Sequence, residues 1–195
     1  MKKKAGFYFG VLRKLTQSVA VTDGAGRAFG IDEGFAKLVR MVGICKKNGG
    51  KLYFVGNGAS ASISSHMAAD FWKNAGIKAG AFNDPTQLTC LSNDYVYEQV
   101  FARPIEMFCR KPDILFAISS SGRSPNILRA VEAAHAKDMK VITLSGFSDD
   151  NPLRKTGDMN FYIPADKYSH VEIMHHSLCH YLLDMIAENK EKTKK

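Results

Sequence analysis

Four side chains of the kind that hold a divalent cation stand at whole helical turns along this chain. His66 and Asp70 are four residues apart, and Glu172 and His180 are eight apart. On helices, such spacings put each pair on one face. If the two helices face each other, two imidazoles and two carboxylates converge. That donor set suits a borderline ion such as Zn, Mn, Fe or Co; it does not suit Ca or an ion selected by thiolates. A cation held this way polarises a carbonyl as a Lewis acid. Taken singly, each residue has a plainer reading: His66 can cap or pack, and Asp70, followed by Phe71 and Trp72, can face solvent at a helix end. His175 and His176 share the last helix, while His135 and His170 read as surface or structural residues.

Two turns supply the other half of the chemistry. The apolar run Leu52 to Val55 breaks at Gly56-Asn57-Gly58, and small residues, Ala59 and Ser60 onward, lead into the helix that carries His66. The run Ile114 to Ile118 ends in Ser119-Ser120-Ser121-Gly122-Arg123-Ser124, with Pro125 at the first turn of the next helix, where proline is tolerated, and Ser124 placed as an N-cap. A strand feeding a hydroxyl-rich, glycine-containing turn at a helix N-terminus gathers N–H donors, hydroxyls and the positive helix end around one small volume. A phosphate monoester fits it. The turn lacks the lysine and spacing of a P-loop, and it lacks G-x-G-x-x-G, so nucleotide binding is disfavoured. The plainer alternative is a helix cap with extra serines.

The elements that must position these residues follow from periodicity. Helices are expected over Phe7 to Val19 and Asp32 to Lys47, the latter ended by Asn48-Gly49-Gly50. Five strands are expected at Leu52 to Val55, Ala79 to Asn83, Ile114 to Ile118, Val141 to Leu144 and Met159 to Ile163. Between them the pattern predicts a helix that follows the first glycine turn, carries His66 and stops near Asn74, a short helical turn after Asp84-Pro85, a polar loop beginning at Leu91 to Asp94, and helices over Tyr97 to Phe108 and Pro125 to Ala136. A last long helix, about Tyr168 to Asn189, closes the chain. Strands alternating with helices imply a three-layer α/β/α sandwich, flavodoxin-like, around a five-stranded parallel sheet. Ligands sit at the carboxyl ends of such strands, where both turns fall. The two helices before the first strand exceed what the sheet needs for cover, so residues 1–48 are expected to pack against another subunit, 50–188 to form the core and 189–195 a charged tail, all in one domain.

Composition narrows the class. With 45% hydrophobic and 24% charged residues, the 195-residue chain is globular and not disordered. Of the formal charge of +8, Lys2 to Lys4 and the stretch Glu188 to Lys195 carry +5, so the body lacks a nucleic-acid signature. Cys45, Cys90, Cys109 and Cys179 show no C-x-x-C pairing, which favours reduced thiols and a cytoplasmic protein. Lys2 to Leu12 imitates the start of a signal peptide, but Arg13 and Lys14 cut its apolar run short. No run approaches the roughly 20 apolar residues of a membrane span.

The serine turn, with Ile114 to Ile118 before it and Asn126 to Ala134 after it, resembles the signature of the sugar isomerase (SIS) domain family. Within that family, Gly56-Asn57-Gly58 with His66 ten residues on, Asn93-Asp94, Ser119 to Ser124, and Glu172 with His180 eight residues later resemble the phosphoheptose isomerases, over about residues 30–188. The resemblance implies a cytoplasmic homotetramer with sites at subunit interfaces, commonly zinc-dependent. Its implied reaction interconverts sedoheptulose 7-phosphate and D-glycero-D-manno-heptose 7-phosphate, for lipopolysaccharide or capsule heptose. Carried over by position, it implies that Asn57, Gly58, Ala59 and Ser60 line the substrate, and that Asn93 and Asp94 meet the sugar hydroxyls. Ser119, Ser120, Ser121 and Ser124 then hold the phosphate. His66, Asp70, Glu172 and His180 become metal ligands, with Asp70 and His180 as acid and base and Glu172 also beside the substrate.

Two positions depart from the family pattern: Asp70 stands where a longer Glu serves as acid or base, and Glu172 where Gln is usual. Ala59 and Ala61 replace commoner residues of the first turn. Two other readings stay open. One is an isomerase or epimerase for another phosphosugar; the other is a non-catalytic SIS protein that binds the replication initiator.

Overall fold

The structure is a computed structural model that describes residues 4–192; the expectations for Lys2, Lys3 and residues 193–195 lie outside the described residues. Helix α1 (Ala5–Thr16) leads into a hairpin of β1 (Ala20–Asp23) and β2 (Ala28–Phe29), followed by α2 (Ile31–Lys47), β3 (Leu52–Gly56), α3 (Ala59–Asp70) and β4 (Ala79–Ala81). Next come α4 (Pro85–Asp94), α5 (Ala102–Phe108), β5 (Ile114–Ser119), α6 (Pro125–Ala136), β6 (Lys140–Ser145), β7 (Met159–Tyr162) and α7 (Tyr168–Lys192).

The seven strands form one sheet in the order β2-β1-β7-β6-β5-β3-β4. The five expected strands, β3 to β7, run parallel, and β1 joins β7 antiparallel with β2 beyond it. This hairpin is absent from the sequence-based reading for a physical reason. It is two to four residues long, and only Val21 of it is buried, so β7 and not a local pattern specifies it.

Strand β5 is buried at every position because both sheet faces are covered. Its side chains alternate: Ile114, Phe116 and Ile118 join Phe54, Phe71, Met174 and Leu178 in one core layer, while Leu115 and Ala117 join Val55, Ile105, Ile127 and Val131 in the other. Each of the larger buried side chains contributes about 1.5–3 kcal/mol. Phe54 stacks on Phe116 at 4.7 Å between ring centroids, so the strands that deliver the two turns are locked side by side. Helices α3 and α7 thus lie on the same sheet face, both packed through the first layer.

Two local expectations shift. Leu91 to Asp94 is the end of α4, not a loop, because the Asp84 side chain accepts from the Gln87 N–H at 3.0 Å and starts a helix with Pro85 in its first turn. The expected helix from Tyr97 is a 3-10 turn, Tyr97–Gln99, before α5 begins at Ala102. Among the described residues, no helix is long and apolar enough to cross a membrane.

Candidate active site

The glycine turn after β3 and the serine turn after β5 lie next to each other because their strands pair in register, Gly56 against Ile118. Glycine at 56 is demanded by packing: a Cβ there would meet Ser60 at 2.6 Å, so only a bare backbone lets α3 fold back this closely on its own strand. Gly122 is demanded twice, by its φ of +61° and by the Asn151 side chain, which occupies the space a Cβ would take. The two turns are bolted together by an amide pair. Asn57 Nδ2 donates to Asn126 Oδ1 at 2.9 Å, Asn126 Nδ2 donates back to Asn57 Oδ1 at 2.8 Å, and Tyr97 Oη donates to the same Asn57 oxygen at 3.1 Å. Neither Asn126 nor Tyr97 stands out in the sequence. Asparagine beside a helix start is common, and only the juxtaposition of two strand ends gives these two their partners.

Between the turns lies a cavity of about 130 Å³ lined by Asn57, Ser60, Ser119, Ser120, Ser121 and Ser124, with Tyr168 and Glu172 on its α7 side. Ser124 occupies the N-cap position of α6 but makes no side-chain capping bond; its hydroxyl instead faces Ser119 Oγ at 3.4 Å. Ser119 Oγ accepts from the Gly122 N–H at 3.2 Å. The Ser120 hydroxyl is buried and has no partner among the described residues. A buried hydroxyl without a partner is costly unless a ligand completes it. Together with the N-terminus of the 12-residue α6, this gives the cavity the donor set of an anion cradle.

Beside the cradle, α3 and α7 present three imidazoles. One ligand atom from each of His66, His176 and His180 lies within 4.8 Å of the other two. The rings of His176 and His180 are 4.5 Å apart, and His66 sits 5.2 Å and 5.4 Å from them. Asp70, 8% exposed, has both carboxylate oxygens engaged, Oδ2 with His66 Nε2 at 3.3 Å and Oδ1 with Lys73 Nζ at 3.2 Å. Partial burial, with His180 and His66 alongside, pushes the His176 imidazole below its ordinary pKa against the pull of Asp70. His176 Nε2 is buried and has no partner. An orphaned imidazole nitrogen inside a cluster of three histidines fits a divalent cation, and the donor chemistry is that of Zn and its neighbours.

The sequence-based site therefore divides in two. His66, Asp70 and His180 converge, while Glu172 lines the cradle with the serines. Gly58 and Ala59 are exposed at the first turn of α3. Asn93 and Asp94 lie exposed at the end of α4, where Asn93 Nδ2 donates to Asp94 Oδ1 at 3.0 Å and Cys90 Sγ to Asp94 Oδ2 at 3.4 Å; neither lines the cavity. His175, adjacent to the cluster in sequence, points the other way: it is fully buried and its Nε2 lies 3.1 Å from the Ser145 carbonyl, tying α7 to the end of β6. His135 reaches the Thr156 carbonyl at 2.8 Å and His170 packs on Tyr8 at 4.9 Å.

The comparisons with known proteins address the same region. The SIS domain profile matches residues 30–146, from the start of α2 past both turns. A phosphoheptose isomerase of Helicobacter pylori is 36% identical over 166 residues, covering 82% of this chain and 86% of that protein. The chain belongs to the phosphoheptose isomerases of the SIS domain family. Another phosphoheptose isomerase, from Aeromonas salmonicida, is 35% identical over 184 residues, 88% of this chain and 95% of its own length. The solved structure of a phosphoheptose isomerase from Francisella tularensis superposes with a TM-score of 0.81 at 29% identity, covering 94% of this chain and 96% of that one. Membership in these phosphoheptose isomerases thus spans both helices that carry the imidazoles as well as the cradle.

Proposed function

We propose that this chain interconverts sedoheptulose 7-phosphate and D-glycero-D-manno-heptose 7-phosphate, an aldose–ketose isomerisation that feeds heptose to surface polysaccharide. The observation that carries the reading is the anion cradle with its unpartnered Ser120 hydroxyl standing beside three convergent imidazoles. Ser60 and His66 are six residues apart on α3, about 9 Å along the axis, and Glu172 and His176 are about 6 Å apart on α7. A phosphosugar anchored in the cradle extends along both helices toward the imidazoles.

Ser119, Ser120, Ser121 and Ser124 hold the phosphate, with Asn57 and Ser60 along the sugar. Gly58 and Ala59 shape the rim, and Asn93 and Asp94 meet hydroxyls from the end of α4. His66, Asp70 and His180 hold a divalent cation, zinc by preference of the donor set. When bound, the cation supplies Lewis acidity at the oxygens on C1 and C2. The chain's own residues do the rest: the cradle fixes the substrate, a carboxylate takes a proton from one carbon and returns it to the next, and His180 carries protons between the two oxygens. Two carboxylates are within the site, Asp70 and Glu172. The exposed apolar side chains of Phe9 on α1 and Ile44 on α2 favour an oligomer, a homotetramer with sites at its interfaces follows from kinship with the phosphoheptose isomerases, and four free cysteines favour the cytoplasm.

Purified protein incubated with sedoheptulose 7-phosphate tests the function, with the unphosphorylated sugar as control. Formation of the aldose from the phosphorylated sugar alone supports it. No aldose from either, in protein supplied with zinc, overturns it.

A further inference from the structure

Phe147 lies two residues past the end of β6 and adopts a φ of +58°. A bulky aromatic residue rarely takes up this left-handed conformation, and it persists only where the surrounding structure over-determines it. Three hydrogen bonds do so here. The Gly146 N–H donates to the Ser120 carbonyl at 3.0 Å, the Phe147 N–H to the Ala165 carbonyl at 2.9 Å, and Tyr162 Oη to the Phe147 carbonyl at 2.8 Å. The strained residue is thereby tied at once to the serine turn and to the segment that leads into α7. From that position its ring meets Tyr168 edge-on, with centroids 4.8 Å apart and planes at 79°, a favoured arrangement of two aromatic rings.

Tyr168 is the first residue of α7 and lines the serine cavity one helical turn before Glu172. Along the helix, Tyr168, Glu172, His176 and His180 follow one another at steps of four residues, about 6 Å each along the axis. Tyr168 therefore stands on the side of the cradle away from the imidazoles. The serines and the N-terminus of α6 enclose the phosphate position elsewhere, and a sugar leaves it past Glu172 toward the imidazoles. The side held by Tyr168 is where a second substituent on the phosphate has to go. An aromatic side chain that is 61% exposed at a helix start turns between rotamers unless something holds it, and the ring of Phe147 does.

We infer that Tyr168, propped by Phe147, is a specificity-determining wall that admits a phosphate monoester and shuts out a phosphodiester or a diphosphate at the same place. The inference rests on the phosphosugar reading of the cradle and goes further, because it defines what can stand beyond the phosphorus. The ring does the excluding, so the Tyr168 hydroxyl is dispensable for it. Phe147 touches no substrate; it is a positioning residue that acts through Tyr168, which is why so bulky a side chain is kept at a left-handed backbone position.

The test measures dissociation constants of sedoheptulose 7-phosphate and of its methyl phosphodiester by isothermal titration. Wild type, Tyr168→Phe, Tyr168→Ala, Phe147→Gly and Phe147→Asn are compared, with circular dichroism on each. Glycine and asparagine both tolerate the left-handed conformation, so retained circular dichroism in one Phe147 variant suffices. The diester lacks one negative charge, but it lacks it in every variant, so a change in the ratio of the two constants reads the wall alone. One methyl group against a close-fitting wall is worth about 10–200-fold. Wild type and Tyr168→Phe are expected to share the same preference for the monoester, and Tyr168→Ala to lower that preference by about tenfold or more. The Phe147 variants lower it in the same direction, a shift that a merely structural role does not produce. An unchanged ratio in Tyr168→Ala, or wild type that binds both esters equally, overturns the wall. An unchanged ratio in a folded Phe147 variant beside a lowered one in Tyr168→Ala overturns the prop. Wild type that discriminates as expected yet leaves sedoheptulose 7-phosphate unisomerised overturns the isomerase reading while the wall stands, and wild type that binds neither ester overturns the cradle and the wall together.

Discussion

Asn126→Ala reaches furthest into the architecture, because Asn126 is the joint between the two turns. Its side chain is 2% exposed and exchanges two hydrogen bonds with Asn57, at 2.9 and 2.8 Å. Truncation deletes both. Asn57 Oδ1 keeps the Tyr97 hydroxyl at 3.1 Å, but Asn57 Nδ2 loses its only protein acceptor among the described residues. One donor stranded in a half-buried position costs about 1–3 kcal/mol, so the unfolding free energy falls by that amount and the urea midpoint by that amount divided by an unchanged m-value. The protein stays folded, yet its kinetics change more than its stability. Asn57 is free to swing, the glycine turn loses its register against the serine turn, and a misplacement of about 1 Å costs on the order of 10² in kcat/KM. Asn126→Asp separates the two effects: its carboxylate still accepts from Asn57 Nδ2 but returns no donor and sets a negative charge beside the phosphate cradle, so KM rises more than stability falls. Urea unfolding followed by circular dichroism, joined to steady-state isomerisation rates, measures both. Stability within about 0.5 kcal/mol of wild type together with unchanged kcat/KM in Asn126→Ala would refute the idea that this amide pair holds the turns in register.

Three further outcomes follow from the same geometry. Ser120→Ala removes a buried hydroxyl that has no protein partner, so the free protein is as stable as wild type or slightly more so, while KM for the phosphosugar rises about tenfold or more; a loss of stability with unchanged KM contradicts the cradle. Gly122→Ala forces a side chain onto a φ of +61° and into Asn151, and thermal unfolding drops by an amount equivalent to at least about 1–3 kcal/mol. Burial holds the His175 imidazole at a pKa of about 4, against the pull of its Ser145 bond, where the free side chain has 6.5. The unfolded chain therefore binds a proton below pH 6.5 that the fold refuses, so in metal-stripped protein stability is full above about pH 6.5 and declines as pH falls toward 4, by up to about 3 kcal/mol. His175→Gln, which keeps a donor for the Ser145 carbonyl but cannot titrate, flattens that slope; an unchanged slope contradicts the assignment.

What was legible in the sequence is what short-range pattern encodes. The buried runs at Leu52 and Ile114, the small residues after them and the four-residue spacing of His66 and Asp70 announce strands, turns and a helix face locally. The β1–β2 hairpin escaped because its stability comes from pairing with β7, more than a hundred residues away. Leu91 to Asp94 has the polar composition of a loop, yet the Asp84 cap decides that α4 forms. Tyr97 and Asn126 acquire their meaning only when strands β3 and β5 bring two turns side by side. The placement of Glu172 in the cradle, with His176 in the cluster, depends on how far α7 slides along α3, a quantity no spacing within one helix contains.

The central claim is that a sugar phosphate anchored in the serine cradle loses and regains a carbon-bound proton beside the imidazoles. Incubation of zinc-loaded protein with sedoheptulose 7-phosphate in D₂O, followed by proton NMR, tests it most directly. The account predicts that an aldose 7-phosphate appears and that deuterium enters C1 of the recovered ketose or C2 of the aldose. A substrate spectrum that stays unchanged, with no aldose and no deuterium at either carbon, contradicts it.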